Sequence, residues 1–267
     1  MPPRDGRRRL GRTGLTVAVL LAVLCTGALV SVAVLAPVGR APARVRPPGP
    51  VPATTSTVTT PAPVALPSQP ATVATVTVPT LPVYPWPGAV NPGRQLTNPN
   101  ELGAPLVLLA LATEGTWVET YLPERPNEAT GWVPLADVSL SADHLSIVIG
   151  LGARQLTLYH DQTPVFETSV APGEPSSPTP TGTFYVTEDI KLTDPGSAYG
   201  PYALGTSAFS NTYYQFEGGP GQVAIHGTNQ PWLIGGYASH GCVRLTNAAI
   251  TTLAQQVPAG TPVQIDP

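Results

Sequence analysis

The chain has 267 residues, enough for one large domain or two small ones, and it contains 34 Pro and 26 Gly but only 11% charged residues. Eight arginines and one aspartate lie before Pro47, a net charge of +7, whereas five basic and fifteen acidic residues follow, a net charge of −10. Because nucleic acid selects basic surfaces, the acidic bulk of the chain argues against a nucleic-acid partner.

The N-terminal segment has the pattern of a membrane anchor. A basic tail over residues 1–14 precedes an uncharged apolar run over residues 15–38, which suits a bilayer span of about 20 residues and exceeds the core of a cleavable signal. Arginines on the N-terminal side predict a cytoplasmic N-terminus. We therefore expect a single-pass protein of the cell membrane with its bulk outside the cell. A signal cleaved near Ala36 or at residues 41–43 is the alternative.

Residues 39–88 are predicted to be a disordered Pro/Thr-rich linker. From Pro47 to Gly88 the chain has no charged residue and consists largely of Pro, Thr, Val and Ala. We expect such a segment to bury too little apolar surface to offset its ordering entropy. Proline keeps it extended, so it would act as a spacer between membrane and domain.

Short strand patterns separated by turn residues fill residues 89–140 and predict a small β-barrel-like module. An apolar run at residues 107–111 predicts a buried strand, and residues 117–122 alternate as a half-buried one. With Trp117 and Gly131-Trp132-Val133, this stretch resembles bacterial Src-homology-3-like modules found beside cell-wall enzymes.

Residues 141–267 are predicted to form a second β-rich domain. Residues 145–149 and 155–159 have the pattern of a hairpin, further strands are expected around 165–170 and 183–186, and a short strand, 223–225, ends at His226. One helix is expected over residues 247–256, capped by Asn247. The chain as a whole is therefore predicted to be mainly β.

Cys242 is the first candidate for chemistry. The only other cysteine, Cys25, lies in the apolar N-terminal run, so Cys242 has no disulfide partner in a region that we expect to be exported. A thiol needs a neighbouring base or positive potential to be a good nucleophile. The candidates for the base are His226 and His240; no Asp or Glu lies beside either, so the backbone carbonyl of Gly227 or a close neighbour is the expected partner for the second nitrogen of His226.

Two further residues flank the thiol. Gly241 would let the backbone N–H groups of residues 241 and 242 converge on the oxyanion of an acyl transfer. Arg244 is one of five basic residues after Pro47 and is a candidate carboxylate clamp. The alternative for Arg244 is an internal salt bridge that supports the loop.

These residues carry a family resemblance. His226-Gly227-Thr228, followed after an interval by the run from Ser239 to Arg244, resembles the signature of the bacterial L,D-transpeptidases, and residues 178–184 are similar to another element of that family. The resemblance covers residues 144–265. It implies a β-sandwich catalytic domain with its site in a loop-flanked cleft and with no metal or organic cofactor.

The resemblance also implies a reaction. Cys242 would attack a peptidoglycan tetrapeptide stem and release D-alanine, with His226 as the base held by the Gly227 carbonyl. The side-chain amine of a second stem's diamino acid would resolve the thioester and join third positions. His240 would shape the loop or tune the thiol, Ser239 and Trp232 would contact substrate, and carbapenems are expected to inhibit.

Three alternatives stay open at this stage. His226, His240 and Cys242 are possible zinc ligands. The thioester could instead be resolved by water, making an L,D-carboxypeptidase, or by a lysine of another protein, attaching that protein to the wall. A non-catalytic wall-binding protein is the third.

Overall fold

A computed structural model describes residues 69–267. The predicted basic tail, the anchor over residues 15–38 and most of the predicted linker lie outside the described residues. In the part of the chain that the structure describes, no helix has the length and apolar character of a bilayer span.

The first part of the described chain is a β-module. Five strands form one antiparallel sheet in the order β6-β5-β4-β1-β7, and β2 pairs with β3 in a separate ribbon. The strands are β1 (Ala71–Val76), β2 (Thr80–Val83), β3 (Arg94–Thr97), β4 (Val107–Glu114), β5 (Trp117–Tyr121), β6 (Thr130–Pro134) and β7 (Val138–Asp143).

The prediction that disorder extends to Gly88 is wrong for residues 71–83. Strand β1 lies between β4 and β7, and Val73, Val76 and Leu81 are buried. The segment lacks charge, but its alternating Val and Thr residues favour strands and cover the apolar face of the neighbouring strands. The module therefore spans Ala71 to Asp143 instead of the predicted 89–140.

The strands expected inside the module are confirmed at β4, β5 and β6. Only the first half of β4 is buried, and Leu111 near its far end is 45% exposed. The similarity of this module to Src-homology-3 domains stays a prediction.

The second part of the chain contains one eight-stranded sheet in the order β10-β9-β8-β15-β11-β12-β13-β14. Its strands are β8 (Leu145–Gly150), β9 (Gln155–His160), β10 (Thr163–Ser169), β11 (Gly182–Lys191), β12 (Tyr202–Phe209), β13 (Gln222–His226), β14 (Val243–Arg244) and β15 (Pro262–Asp266). The predicted β8–β9 hairpin is confirmed, as is the mainly β class of the described chain.

The sheet changes direction at β11. The first half of this strand pairs with β15 and the second half with β12, with a register shift between Val186 and Glu188. A bulge at such a point lets a strand turn the corner between two layers. Apolar residues from both halves, among them Leu156 and Leu204, share one core, as they would in the predicted sandwich.

Strand β11 also joins the module to the part of the chain that contains the eight-stranded sheet. Its side chains alternate across the strand, so Phe184 and Val186 enter the core of the eight-stranded sheet while Tyr185 enters the core of the module. All three are fully buried. The two parts therefore pack on opposite faces of the same strand.

The one α-helix in the described part of the chain, α1 (Asn247–Ala254), lies where the sequence predicts it, but its cap is different. Thr246 is the cap, and its side chain accepts a hydrogen bond from the Ala249 amide. Asn247, predicted to be the cap, instead accepts a hydrogen bond from the Thr228 amide at 2.8 Å. The helix start is thereby tied to the segment that follows His226.

Candidate active site

The candidate site is built on two neighbouring parallel strands. Ile225 of β13 pairs with Val243 of β14, and His226 pairs with Arg244. Ile225 and Val243 point into the core. Because side chains alternate along a strand, His226 and Arg244 project from the opposite face, as does Cys242 two residues before Arg244. There they line one cavity of about 140 Å³.

His226 is held in one orientation and one tautomer. Its Nδ1 lies 2.6 Å from the carbonyl oxygen of Gly227, which is the interaction expected from the sequence. A carbonyl oxygen only accepts, so Nδ1 carries the proton and Nε2 keeps its lone pair. Burial lowers the pKa of His226 to about 4, with a smaller contribution from the charge of Arg244 and an opposing one from the Gly227 bond. At neutral pH the imidazole is therefore an uncharged base.

Cys242 is a partly exposed free thiol. Its Sγ accepts a hydrogen bond from the Ala224 amide at 3.5 Å, which fixes the sulfur beside β13. Burial raises the pKa of this thiol above its usual value, although the Ala224 bond and the charge of Arg244 act in the opposite direction. The thiol is therefore protonated at neutral pH and needs a base for nucleophilic attack.

Arg244 supplies positive charge to the cavity. The structure shows no salt bridge to Arg244 within residues 69–267, so the internal ion pair considered from the sequence is not found there. Its Nε is buried without a hydrogen-bond partner. A buried unpaired guanidinium nitrogen is a ready donor for an anionic group that enters the cavity.

The loop before Cys242 is tied together by Ser239. Its hydroxyl accepts a hydrogen bond from the Gly241 amide at 3.1 Å and donates to the carbonyl oxygen of Cys242. Ser239 is buried and lies at the edge of the cavity, but its hydroxyl is occupied by the loop, which gives it a positioning role in place of the predicted substrate contact. The Gly241 N–H, expected to bind an oxyanion, is likewise occupied.

Gly241 itself adopts a backbone conformation that favours glycine. Its φ is +128°, and a Cβ built on it would come no closer than 3.7 Å to Ser210. Space is therefore available, and the requirement for glycine comes from the backbone angle. This angle turns the chain between Ser239 and Cys242.

The segment around Gly173 is hydrogen-bonded to the same loop. The amide of Glu174 donates to the carbonyl of Ser239 at 2.9 Å, and Ala171 exchanges two backbone hydrogen bonds with Arg244. Buried Thr179 accepts from the Gly173 amide at 2.9 Å. The proline-rich 178–184 element noted in the sequence thus supports the loop before Cys242 through Thr179.

His240 and Trp232 differ in position. The exposed ring of His240 lines the cavity and packs against Tyr213 and Phe216, with ring centroids 5.7 and 5.2 Å away. Trp232 is 74% exposed and does not line this cavity, so the structure does not bring it together with Cys242 and His226. It lies in a 3-10 turn (Pro231–Leu233) that starts with a proline and leaves the indole outside.

The structure adds cavity residues that sequence patterns did not indicate. The Tyr199 ring centroid is 4.7 Å from that of His226, and its hydroxyl donates a 2.6 Å hydrogen bond to Glu217. Both residues line the cavity. They lie in loops remote in sequence from the cysteine motif; the only local signal was the turn sequence Glu217-Gly218-Gly219.

A loop of the module supports the cavity wall. The guanidinium of Arg125 donates to the carbonyl oxygens of Pro220, Ser210 and Tyr213 at 2.6, 2.9 and 3.1 Å. The Asn127 amide exchanges two hydrogen bonds with the backbone of Phe209. The module therefore holds the ends of the loop that carries Tyr213 and Glu217.

One alternative from the sequence is a zinc site formed by His226, His240 and Cys242. Within residues 69–267 no group of three or more His, Cys, Asp or Glu side chains is arranged to hold a metal ion.

Comparison with known proteins gives a consistent family. Residues 145–265 match the model of the YkuD family, the L,D-transpeptidase catalytic domain. The chain is 35% identical over 120 residues to YkuD of Bacillus subtilis (strain 168), covering 45% of this chain and 65% of that protein. It is 29% identical over 143 residues to YqjB of the same organism, covering 49% and 76%. The chain thus spans just under two thirds of YkuD.

Among solved structures, L,D-transpeptidase 3 from Mycobacterium tuberculosis, in complex with a faropenem-derived adduct, is similar with 16% identity and a TM-score of 0.39, covering 61% of this chain and 91% of that one. An L,D-transpeptidase from Mycobacterium smegmatis has 18% identity and a TM-score of 0.38, covering 73% and 99%. Residues 145–265 are thus similar to the L,D-transpeptidase catalytic domain of the YkuD type.

Proposed function

We propose that this protein is a peptidoglycan L,D-transpeptidase that uses Cys242 as its nucleophile. The observation that carries the proposal is the shared face of β13 and β14, on which a protonated thiol and a neutral imidazole line one cavity. The family match of residues 145–265 supports the reaction class.

In the first step, Nε2 of His226 takes the proton of Cys242 as the sulfur attacks the carbonyl before the terminal D-alanine of a tetrapeptide stem. The imidazolium then passes this proton to the amine of the departing D-alanine. The Gly227 carbonyl keeps the imidazole in the required tautomer throughout. The product is a thioester on Cys242.

In the second step, the side-chain amine of a second stem's diamino acid attacks the thioester. The C–S bond breaks, an amide forms between third positions, and the thiol is regenerated. In the first step, Arg244 would bind the carboxylate of the donor's terminal D-alanine, because its guanidinium lines the cavity and has no salt bridge within residues 69–267.

Localisation is part of the proposal. An N-terminal helix over residues 15–38 would hold the protein in the cell membrane, with the catalytic domain outside and the linker spanning toward the wall. Carbapenems, whose strained carbonyl is open to thiol attack, would acylate Cys242 and inhibit.

The test is product analysis with the purified full chain and a disaccharide-tetrapeptide, read by mass spectrometry. We expect a crosslinked dimer that lacks one D-alanine, absent with Cys242→Ala. Tripeptide alone would replace the proposal with an L,D-carboxypeptidase. Untouched substrate with folded protein would favour protein attachment or wall binding.

A further inference from the structure

We propose that Glu217, held by Tyr199, is the site that recognises the ammonium group of the acceptor. This inference rests on the proposed function and names the residue that would favour an amine over water. It is carried by the position of the carboxylate, by its fixed conformation and by the charges around it.

Among residues 69–267, Glu217 is the only acidic side chain that lines the cavity with Cys242 and Arg244. Burial is the main reason that the pKa of the Cys242 thiol is raised, and the charge of Glu217 adds to the effect, which places the carboxylate within electrostatic reach of the nucleophile. The cavity thus presents a cation and an anion. The cation suits the donor's terminal carboxylate, and the anion suits an incoming ammonium.

The backbone at Glu217 is unusual. Phe216 and Gly219 exchange two hydrogen bonds, at 3.0 and 2.9 Å, around a two-residue turn. Both turn residues have positive φ, +48° at Glu217 and +85° at Gly218. Asn, Asp and Gly are the usual residues at the first of these positions, and a glutamate there is disfavoured. A strained residue at the edge of a cavity points to a function for its side chain.

Tyr199 fixes the carboxylate. Its hydroxyl donates a 2.6 Å hydrogen bond to Oε2 of Glu217, while its ring packs against His226. Burial raises the pKa of Tyr199, with a further contribution from Glu217, so the hydroxyl keeps its proton and remains a donor. The second carboxylate oxygen, Oε1, has no hydrogen-bond partner among residues 69–267 and is left for an ammonium group that enters the cavity.

Next to the carboxylate is an apolar surface that suits the stem of a long amine. Phe216 precedes Glu217 and packs on His240, and both rings line the cavity. The expected acceptor is therefore a primary amine on an aliphatic chain. On attack, the ammonium loses two protons: one is released through Glu217 to solvent, and one reaches sulfur through His226 as the N–C bond forms and the C–S bond breaks.

The test separates acylation from transfer. The full chain is given a tetrapeptide donor whose own amines are acetylated, with a tripeptide stem carrying a free side-chain amine as acceptor. D-Alanine release reports acylation, and the ratio of crosslinked product to hydrolysed donor reports acceptor choice. Glu217→Gln keeps the side-chain length and an oxygen for Tyr199, and Glu114→Gln, in an exposed hairpin of the module, is the matched control.

We expect Glu217→Gln to lower the crosslink-to-hydrolysis ratio about ten- to hundredfold, the loss typical of one charge-assisted interaction. The ratio should fall by a larger factor than D-alanine release without acceptor, and Tyr199→Phe should shift the ratio in the same direction by less. An unchanged ratio in Glu217→Gln, or a parallel fall in D-alanine release, would overturn the inference. Absence of D-alanine release by the wild-type protein would instead contradict the proposed function.

Discussion

Nδ1 of His226 lies 2.6 Å from the carbonyl oxygen of Gly227, the next residue in the chain. This short-range bond sets the tautomer of a buried imidazole without a carboxylate. Burial keeps the pKa of His226 low, and the uncharged Gly227 carbonyl only partly opposes that shift. The site therefore contains a base that remains neutral well below pH 7.

The low pKa of His226 predicts a loss of stability in acid. The folded state has a pKa of about 4 at this residue, whereas an unfolded chain has about 6.5. Protons therefore bind preferentially to the unfolded chain below about pH 6.5. The contribution of neutral His226 to the free energy of unfolding is fully present above that pH, and it is lost as the pH falls toward the folded-state pKa of about 4.

Between pH 7.5 and 4.5 the wild type should thus lose about 2 to 3 kcal/mol more of its free energy of unfolding than His226→Gln. Urea titrations at the two pH values measure this difference in the free energy of unfolding, and His160→Gln, at an exposed position, is the control. Equal losses in wild type and His226→Gln would contradict the assigned pKa shift.

Gly227 should not tolerate a side chain. A Cβ there would lie 2.5 Å from Oδ1 of Asn247 and 3.1 Å from Cα of Gly200. We expect Gly227→Ala to cost about 1 to 3 kcal/mol of stability and to displace the carbonyl that orients His226. Thermal unfolding and the rate of D-alanine release measure the two effects.

The control for this change is Gly93→Ala, because a Cβ at Gly93 meets nothing closer than 4.0 Å. Wild-type behaviour in Gly227→Ala would show that the turn after His226 can relax, and that the carbonyl contact does not depend on close packing with Asn247.

Arg244 should lower KM only for donors that end in a carboxylate. Arg244→Gln removes the charge, so KM for tetrapeptide should rise about ten- to hundredfold, the loss of one charge-assisted interaction. With a donor whose terminal D-alanine is amidated, wild type and variant should have similar KM values. Equal effects of the substitution on both donors would show that Arg244 acts on the loop and not on the substrate.

Arg125 should couple the module to the cavity. Replacing it with Ala removes three hydrogen bonds to carbonyls at the ends of the 210–220 loop, which should cost about 2 kcal/mol of stability. Because Tyr213 and Glu217 lie in that loop, KM should rise more than kcat falls. Lys191→Ala, an exposed cation, is the control, and an unchanged KM would mean that the loop holds its shape without the module.

Features that depend on residues close together in the chain could be predicted from the sequence. The β8–β9 hairpin follows from alternation, and the His226–Gly227 bond joins neighbours in the chain. Cys242 and His226 line one cavity because β13 and β14 pair in parallel, and the sequence indicated this pair through the family resemblance and not through local pattern.

Features that depend on tertiary packing were missed. Strand β1 falls within the predicted linker because its sequence has no charge and resembles the residues before it. Only its pairing with β4 and β7 identifies it as a strand. Tyr199 and Glu217 are 18 residues apart, on either side of β12, and Arg125 reaches the cavity wall from the module. For Trp232 the sequence predicted a contact that the structure does not show. Its position between two motif elements indicated a place in the cleft, but the turn over Pro231–Leu233 leaves the ring in solvent.

The most direct measurement is the intact mass of the protein after brief mixing with a tetrapeptide donor in the absence of an amine acceptor, followed by peptide mapping. The account predicts a thioester adduct equal to the donor minus D-alanine, on the peptide that contains Cys242. The adduct should be absent from Cys242→Ala and should form at least about a hundredfold more slowly in His226→Gln. D-Alanine release without any adduct on Cys242, or an adduct on another residue, would contradict the account.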